Sequence, residues 1–380
     1  MQFIKLSDLF SNIKIWWTPS RAKQEYFWGW LPWVSIRDLW KTNLILETKE
    51  TLSDLGVRNS NVKLIKKGSL LFSFKLSVWK VAFAWVDLYT NEAIASFEPG
   101  NPKVDLHYLY YCLPIYAKKN ARTNNYWAPL LNKEIIKDLQ IPLPSLEVQE
   151  SIVAKLDKLT ELIDLKKEAI GKTEELTKSV FLEMFGDISR NEKGYKSELF
   201  WDILSIDAKM VSPLDTKYQD LFCIWWANIV SETWDLIDLN TAKQEWSISG
   251  KFLVSPDDIL YSKIRPKLKK ITFPQIECLC SADIYPLRPN KKRITHHYLI
   301  EYLLSSSFTA IVSEMAEKRA QIPKINREEL LNLKIPVPPL ELQVCFESFV
   351  NSQLLIKKNQ EQSLLKLQAL HNTTVQKIFV

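Results

Sequence analysis

An internal repeat constrains the fold of this chain more than any other feature of its sequence. Leu131–Gln149 matches Ile325–Gln343 without a gap, at a distance of 194 residues. Nine positions are identical: Asn132, Glu134, Leu139, Ile141, Pro142, Pro144, Leu146, Glu147 and Gln149 recur as Asn326, Glu328, Leu333, Ile335, Pro336, Pro338, Leu340, Glu341 and Gln343. Two units of about 190 residues therefore follow each other.

Each unit begins with a mixed part and ends in a long helix. Ser69–Phe74 and Ile259–Ile264 are short apolar segments that predict strands. Asp105–Tyr116 and Thr295–Leu304 predict helices. The repeated Ile-Pro-x-Pro-x-Leu-Glu-x-Gln box then opens a proline-free stretch, Glu147–Phe185 in the first unit, that predicts a helix of about 60 Å.

The two long helices are expected to pack against each other. Spacings of four and three from Ile152 place apolar residues along one seam of the first helix, which is typical of a coiled coil. The seam that starts at Phe346 in the second helix is more polar, and such a helix needs a partner because packing supplies most helix stability. The alternative is that each helix packs only on its own mixed part.

Composition indicates a globular protein of two or three domains. The chain has 380 residues, of which 46% are hydrophobic and 25% charged. Its apolar runs are much shorter than a membrane span, and its first residues lack a signal-peptide core. Five cysteines form no CxxC pair. We expect a cytoplasmic protein without a membrane segment, a disulfide framework or a metal site.

Positive charge is concentrated at matching places in the two units. Five cations and no acid lie between Tyr261 and Phe273, and five more without an acid lie between Val62 and Lys80. Two such clusters at repeat-equivalent places predict phosphate binding. The segment Arg319–Lys324 and the comparable segment beginning at Arg122 add donors for bases and phosphates, although both are also compatible with an ordinary polar loop.

Sequence motifs for catalysis are missing. The chain contains no GxxxxGK[ST] loop, no HExxH pair and no Asn/Asp-Pro-Pro-aromatic tetrapeptide. We expect no catalytic residue in this chain. Three functions remain open at this point: DNA reading, a stand-alone DNA-modifying enzyme, and a coiled-coil scaffold that binds protein.

The residues quoted above resemble the specificity subunit of type I restriction-modification systems over essentially the whole chain. The likeness rests on the two boxes at 141–149 and 335–343, each opening a long helix. It also rests on Thr18–Ser20, Leu31–Val34, Leu260–Pro266 and Met184–Asp187.

The resemblance implies an α+β fold with two mixed target-recognition domains, 1–144 and 186–338. Helical spacers, 145–185 and 339–380, would pair as an antiparallel coiled coil. Each domain would read one half of a split double-stranded DNA site. Methyltransferase subunits would supply S-adenosylmethionine, a motor-nuclease subunit would use ATP and Mg²⁺, and this chain would bind no cofactor. The expected DNA contacts are Thr18, Lys75, Lys80, Arg122, Lys263, Arg265, Lys267, Lys269, Lys270, Arg319, Gln321 and Lys324.

Tryptophan and glycine occur in abnormal numbers. The chain has 14 Trp and 8 Gly, whereas a chain of this length ordinarily holds about 27 Gly. Several Trp stand in turns, as at Trp16–Trp17 and Trp225–Trp226, where the resembling family commonly has glycine. We expect that many of them come from UGA codons that the source organism reads as glycine, and that Trp33 is genuine. The alternative is real tryptophan that stacks on bases.

Overall fold

A computed structural model describes residues 2–10, 13, 15, 18–40, 42–75, 79–123, 129–188, 190–206, 209–317 and 322–380, with the backbone alone at 122–123 and 129–130. The chain forms two compact units. Unit 1 comprises Met1–Lys166 and Ser363–Val380, and unit 2 comprises Lys167–Gln362. Each unit therefore contains one mixed domain together with parts of both long helices.

Unit 1 has a four-stranded sheet in the order β3-β6-β5-β8, a three-stranded sheet β4-β2-β7, and the pairs β1-β11 and β9-β10. Its strands are β1 (Phe3–Lys5), β2 (Phe27–Val34), β3 (Leu44–Ile45), β4 (Glu50–Leu52), β5 (Leu70–Ser73), β6 (Val81–Ala84), β7 (Tyr89–Thr90), β8 (Ile94–Phe97), β9 (Arg122–Thr123), β10 (Pro129–Leu130) and β11 (Gln140–Pro142). Its helices are α1 (Leu6–Leu9), α2 (Asp54–Arg58), α3 (Leu106–Asn120), α4 (Lys133–Asp138) and the first half of α5 (Leu146–Phe185).

Unit 2 has two four-stranded sheets, β13-β20-β17-β18 and β14-β16-β19-β15, and the pair β12-β21. Its strands are β12 (Ser197–Leu199), β13 (Leu204–Ser205), β14 (Met210–Val211), β15 (Cys223–Ile224), β16 (Lys251–Val254), β17 (Ile259–Ser262), β18 (Ile271–Thr272), β19 (Cys278–Cys280), β20 (Ile284–Pro289) and β21 (Lys334–Pro336). Its helices are α6 (Phe200–Ile203), α7 (His296–Leu304), α8 (Ser306–Glu317), α9 (Arg327–Leu331), the second half of α5, and the first part of α10 (Leu340–Phe379), whose end lies in unit 1. The predicted fold class is confirmed.

The repeated box forms the same structure twice. Its Ile-Pro residues lie in β11 and β21, and both strands pair antiparallel with the first strand of their unit in one register: Ile4 is opposite Ile141, and Glu198 is opposite Ile335. The tyrosine of the repeated His-Tyr-Leu motif makes the same hydrogen bond in both units, which explains why it recurs. Tyr108 donates a hydrogen bond to the Pro142 carbonyl at 2.9 Å, and Tyr298 donates to the Pro336 carbonyl at 2.7 Å.

The glutamine that ends the box is a buried clamp. The Gln343 side chain accepts a hydrogen bond from the Thr295 amide at 2.9 Å and donates to the carbonyls of Arg293 and Pro338 at 3.2 and 2.8 Å. Gln149 makes the three equivalent bonds in unit 1. Both glutamines are fully buried. Gln149 therefore fixes the start of α5 to the N-cap of α3, and Gln343 fixes the start of α10 to the N-cap of α7.

The two long helices run antiparallel within each unit. In unit 2, the Phe181 and Phe346 ring centroids lie 5.3 Å apart, and Glu174 pairs with Lys357 at 2.8 Å. In unit 1, Phe379 lies in the same buried cluster as Leu156. Later residues of α5 thus contact earlier residues of α10. This is the antiparallel pairing expected from the family resemblance.

Helix prediction was incomplete at one point. The sequence predicts a helix over Thr295–Leu304, but a second helix, α8, follows after a break at Ser305. The Ser305 hydroxyl accepts the Phe308 amide at 3.2 Å, and Phe308 is buried. The run of three serines therefore caps a new helix rather than ending in a loop. Among the described residues, no helix is both long and apolar enough to span a membrane.

Tryptophan occupies unusual backbone conformations. Trp28, Trp79 and Trp246 have φ angles of 63°, 42° and 48°. These angles lie in the left-handed region, which is unfavourable for residues that have a Cβ. Trp246 is also 88% exposed. Trp33 differs, because its φ is not positive, it is 1% exposed, and its ring packs edge-on against Phe27.

Candidate nucleic-acid interface

A strained basic turn joins β17 to β18 in unit 2. We call residues 263–270 the basic turn. Arg265 and Lys269 both have a φ of 47°, and a single 3-10 turn, Pro266–Leu268, lies between them. A left-handed backbone costs a residue with a Cβ about 1–2 kcal/mol. Two cations of this turn therefore occupy strained backbone positions of the kind that cluster at functional sites.

The basic turn is held against the segment after residue 321. The Arg265 amide donates to the Pro323 carbonyl at 2.8 Å, and the Ile325 amide donates to the Lys263 carbonyl at 3.0 Å. An isolated antiparallel bridge joins Ile264 to Lys324. This backbone ladder brings Lys324, a predicted contact, beside Arg265 although 59 residues separate them in the sequence.

Four cations of the basic turn and the adjoining Lys324 fall into two groups. Arg265, Lys267 and Lys324 are exposed. Lys263 instead donates to the Ala282 carbonyl at 2.6 Å and lies 3.5 Å from an Asp283 carboxylate oxygen. Lys270 donates to the Trp226 carbonyl at 2.7 Å, and burial lowers its pKa. The first group is available to a polyanion, whereas the second holds the turn together.

Helix α8 supports the exposed side of the turn. Lys267 forms an ion pair with Glu317 near the end of α8. The Lys269 ammonium lies 3.3 Å from the Ser306 hydroxyl at its start. Both pairs involve exposed groups, so each contributes little to stability and can exchange its partner for a phosphate.

Unit 1 has a smaller counterpart between β5 and β6. Lys75 and Lys80 flank this turn and are half-buried. The Thr18 hydroxyl donates a hydrogen bond to Glu92. Burial opposes ionisation of Glu92, but the bond from Thr18 and the charge of Lys75 lower its pKa. Two predicted contacts, Thr18 and Lys75, thus converge on one carboxylate that the sequence analysis did not identify.

A second turn recurs in both units, next to the basic turn in unit 2 and next to its counterpart in unit 1. The sequence analysis did not identify this turn. The Ser35 amide donates to Asp38 at 2.8 Å, and the Trp225 amide donates to Asn228 at 2.8 Å. The two turns lie 190 residues apart, which is the spacing of the repeated His-Tyr-Leu motif, and that spacing could have identified them.

Indole rings from these capped turns cover several cations. The Lys80 ammonium lies 4.7 Å from the Trp40 ring centroid. Lys270 and Arg265 lie 4.4 and 5.8 Å from the Trp226 ring centroid. Such contacts stabilise a cation where it is and compete with its binding to phosphate.

Three of the predicted DNA contacts lie wholly or partly outside the described residues. Arg319 and Gln321 lie outside the described residues. Arg122 has a described backbone in β9, paired with Leu130, but its side chain lies outside the description.

Two acids have shifted pKa values, and one of them, Glu301, lines a cavity together with Lys269 of the basic turn. Burial raises the pKa of Glu301 on α7 to about 7. Hydrogen bonds to His296 and His297 lower the pKa of Glu347 to about 2. Glu301 lines a cavity together with side chains of both long helices, including Thr177 and Gln353. These positions are structural, since each acid lies between a helix of the mixed domain and the helix pair of unit 2.

Comparison with known proteins gives a consistent result. The type I restriction modification DNA specificity domain matches residues 1–176 and 205–365. The EcoDI specificity subunit of Escherichia coli is 27% identical over 63% of this chain, and the match spans only 61% of that subunit. The MjaIX specificity subunit of Methanocaldococcus jannaschii is 24% identical, with 92% of this chain and 88% of that subunit covered.

Solved structures share the fold. A chain from a study of assembly and conformational transition of the type I R-M system has a TM-score of 0.59 at 18% identity, covering 99% of this chain and 96% of that chain. The S subunit of a type I system from M. genitalium has a TM-score of 0.56 at 13% identity, covering 100% and 96%. With the family domain matched over both repeats, the chain belongs to the type I restriction-modification DNA specificity family.

Proposed function

We propose that this chain is the DNA-reading subunit of a type I restriction-modification complex and that it recognises a bipartite target. The observation that carries this proposal is the basic turn, which recurs between equivalent strands of both units. In unit 2, Arg265, Lys267 and Lys324 form its exposed cationic surface. Lysines suit phosphates, whereas the arginine fork suits the O6 and N7 atoms of guanine.

The two half-sites should differ in sequence. The anchoring residues of the two units are identical, as with Tyr108 and Tyr298, but the turns are not. Unit 1 has Lys75 at the place where unit 2 has Arg265. Different donors at equivalent places select different base edges.

The long helices are the proposed docking surface for methyltransferase subunits. They expose apolar residues at repeat-equivalent positions: Leu162 matches Ile356, and Leu176 matches Leu370. Each unit carries one member of each pair. A surface that occurs twice suits two copies of one partner, and exposed apolar side chains in such arrays are typical of protein interfaces.

Catalysis and cofactors belong to the partner subunits in this proposal. S-adenosylmethionine, ATP and Mg²⁺ would bind the methyltransferase and motor-nuclease chains, and the complex would act in the cytoplasm. This chain would contribute recognition and assembly.

The first test is a methylation map of genomic DNA from the native host, with and without this gene. Loss of adenine methylation at two short half-sites around a fixed gap is the expected result. Methylation that is unchanged although the partner methyltransferase is expressed would refute the specificity role.

A second test uses the purified complex and duplex DNA. Arg265→Ala with Lys267→Ala should weaken binding, and Lys196→Ala provides the control, since it removes an exposed cation outside the basic turn. Equal losses from the double variant and from the control would refute the basic turn as the DNA surface.

A further inference from the structure

We propose that the protein made in its own host carries glycine at positions 28, 79 and 246, because the host reads UGA codons as glycine. The three positions are the tryptophans with positive φ. Among the described residues, nine other than glycine have positive φ, and three of these nine are tryptophan, although tryptophan supplies only 14 of 380 residues. The other six are polar or charged.

The turn at Trp246 carries the strongest argument. The Ser247 amide donates to the Ala242 carbonyl at 3.2 Å, and the Trp246 amide donates to the Lys243 carbonyl at 3.3 Å. These are the two hydrogen bonds of a Schellman motif, with Trp246 at the left-handed position that glycine normally occupies. The indole is 88% exposed, so almost no packing compensates for the backbone cost.

Trp28 occupies a second glycine position. The pairing of β2 with β4 is irregular between Phe27 and Leu31, because both residues lie opposite Leu52. A left-handed residue at such an irregularity is ordinarily glycine. Trp28 is 73% exposed, so burial does not explain its presence there.

Trp79 occupies the third position, where the repeat supplies an internal comparison. It stands 190 residues before Lys269, and both residues have a left-handed backbone, with φ of 42° and 47°. The left-handed conformation therefore recurs at equivalent positions of the two units. Composition agrees in direction, because replacing a dozen tryptophans would raise glycine from 8 to 20 residues, toward the roughly 7% share of ordinary chains.

The proposal does not extend to Trp33. Its backbone has no positive φ, and its ring is buried against Phe27 and approached by the Arg21 guanidinium at 5.1 Å. Glycine here would leave a large cavity. Position 33 should therefore be tryptophan in the native protein and encoded by UGG.

The direct test is mass spectrometry of tryptic peptides from protein isolated from the native host. The peptide Gln24–Arg37 contains both position 28 and the control position 33, and Gln244–Lys251 contains position 246. We expect glycine at 28 and 246 and tryptophan at 33. Tryptophan at 28 and 246 would overturn the proposal. Because the readout is covalent sequence, it does not depend on DNA binding.

A second test measures the conformational argument in the recombinant protein. Trp246→Gly and Trp246→Ala both remove the indole, but only glycine relieves the positive φ. We expect a higher urea midpoint for the glycine variant than for the alanine variant. An alanine variant that equals or exceeds the glycine variant would contradict the assignment at this turn.

Discussion

The buried glutamine of unit 2 permits a sharp test of what the repeated box does. Gln343→Leu keeps a side chain of similar size but removes three hydrogen bonds, one from the Thr295 amide and two to the carbonyls of Arg293 and Pro338. Leaving a buried backbone group without a partner costs about 1–3 kcal/mol. Since three groups lose their partner and some gain comes from the apolar side chain, we expect unit 2 to lose about 3–5 kcal/mol of unfolding free energy.

Two measurements check this expectation. Urea unfolding followed by intrinsic fluorescence gives the shift of the unfolding midpoint. Hydrogen exchange at the Thr295 amide reports the lost bond locally, which matters in a chain whose two units need not unfold together. The control is Gln362→Leu, since Gln362 is exposed on the same helix, and it should change stability by less than about 0.5 kcal/mol. A loss below about 1 kcal/mol in Gln343→Leu, with unchanged exchange at Thr295, would refute the clamp.

Three further predictions concern charge and cation coverage. Folding stability should fall as pH rises from about 4.5 to about 7, because burial raises the pKa of Glu301 and the folded state then holds a proton that the unfolded state releases. Glu301→Gln should remove this pH dependence and add about 2 kcal/mol to the free energy of unfolding at pH 8. Urea unfolding at several pH values measures both effects. Arg265→Ala with Lys267→Ala should reduce the slope of log K against log salt by about 2 for non-specific duplex DNA, and an unchanged slope would count against phosphate contacts. Trp226→Gly should raise DNA affinity about two- to fivefold by uncovering Arg265, whereas the exposed Trp201→Gly should leave it unchanged; equal effects would show that the indole does not mask the cation.

Local patterns and the repeat predicted most of the architecture. Short apolar segments gave β5 and β17, and the proline-flanked box gave both long helices, because these features depend on neighbours in the sequence. Helix α8 was not predicted, since Ser305 both ends one helix and caps the next. A serine that follows a helix ordinarily suggests a loop.

The candidate site was only partly predictable. Clustering of cations identified the basic turn, but it could not separate exposed Arg265 from Lys263 and Lys270, which point at carbonyl oxygens of Ala282 and Trp226. Those acceptors lie 19 and 44 residues away, and their positions follow from tertiary packing. Lys324 lies beside the turn because of a backbone bridge, and the pattern of side chains in the sequence does not indicate such a bridge.

The anchors of the two units act almost entirely on backbone atoms. Tyr298 reaches the carbonyl of Pro336, and Gln343 reaches an amide and two carbonyls. A bond to a carbonyl or an amide survives a change in the side chain of the residue that provides it. Mutation and recombination can therefore change the residues between these anchors without weakening the hydrogen bonds that hold them. Under the proposed DNA-reading function, the fold separates the residues that must be inherited unchanged from those on which selection for new DNA targets can act.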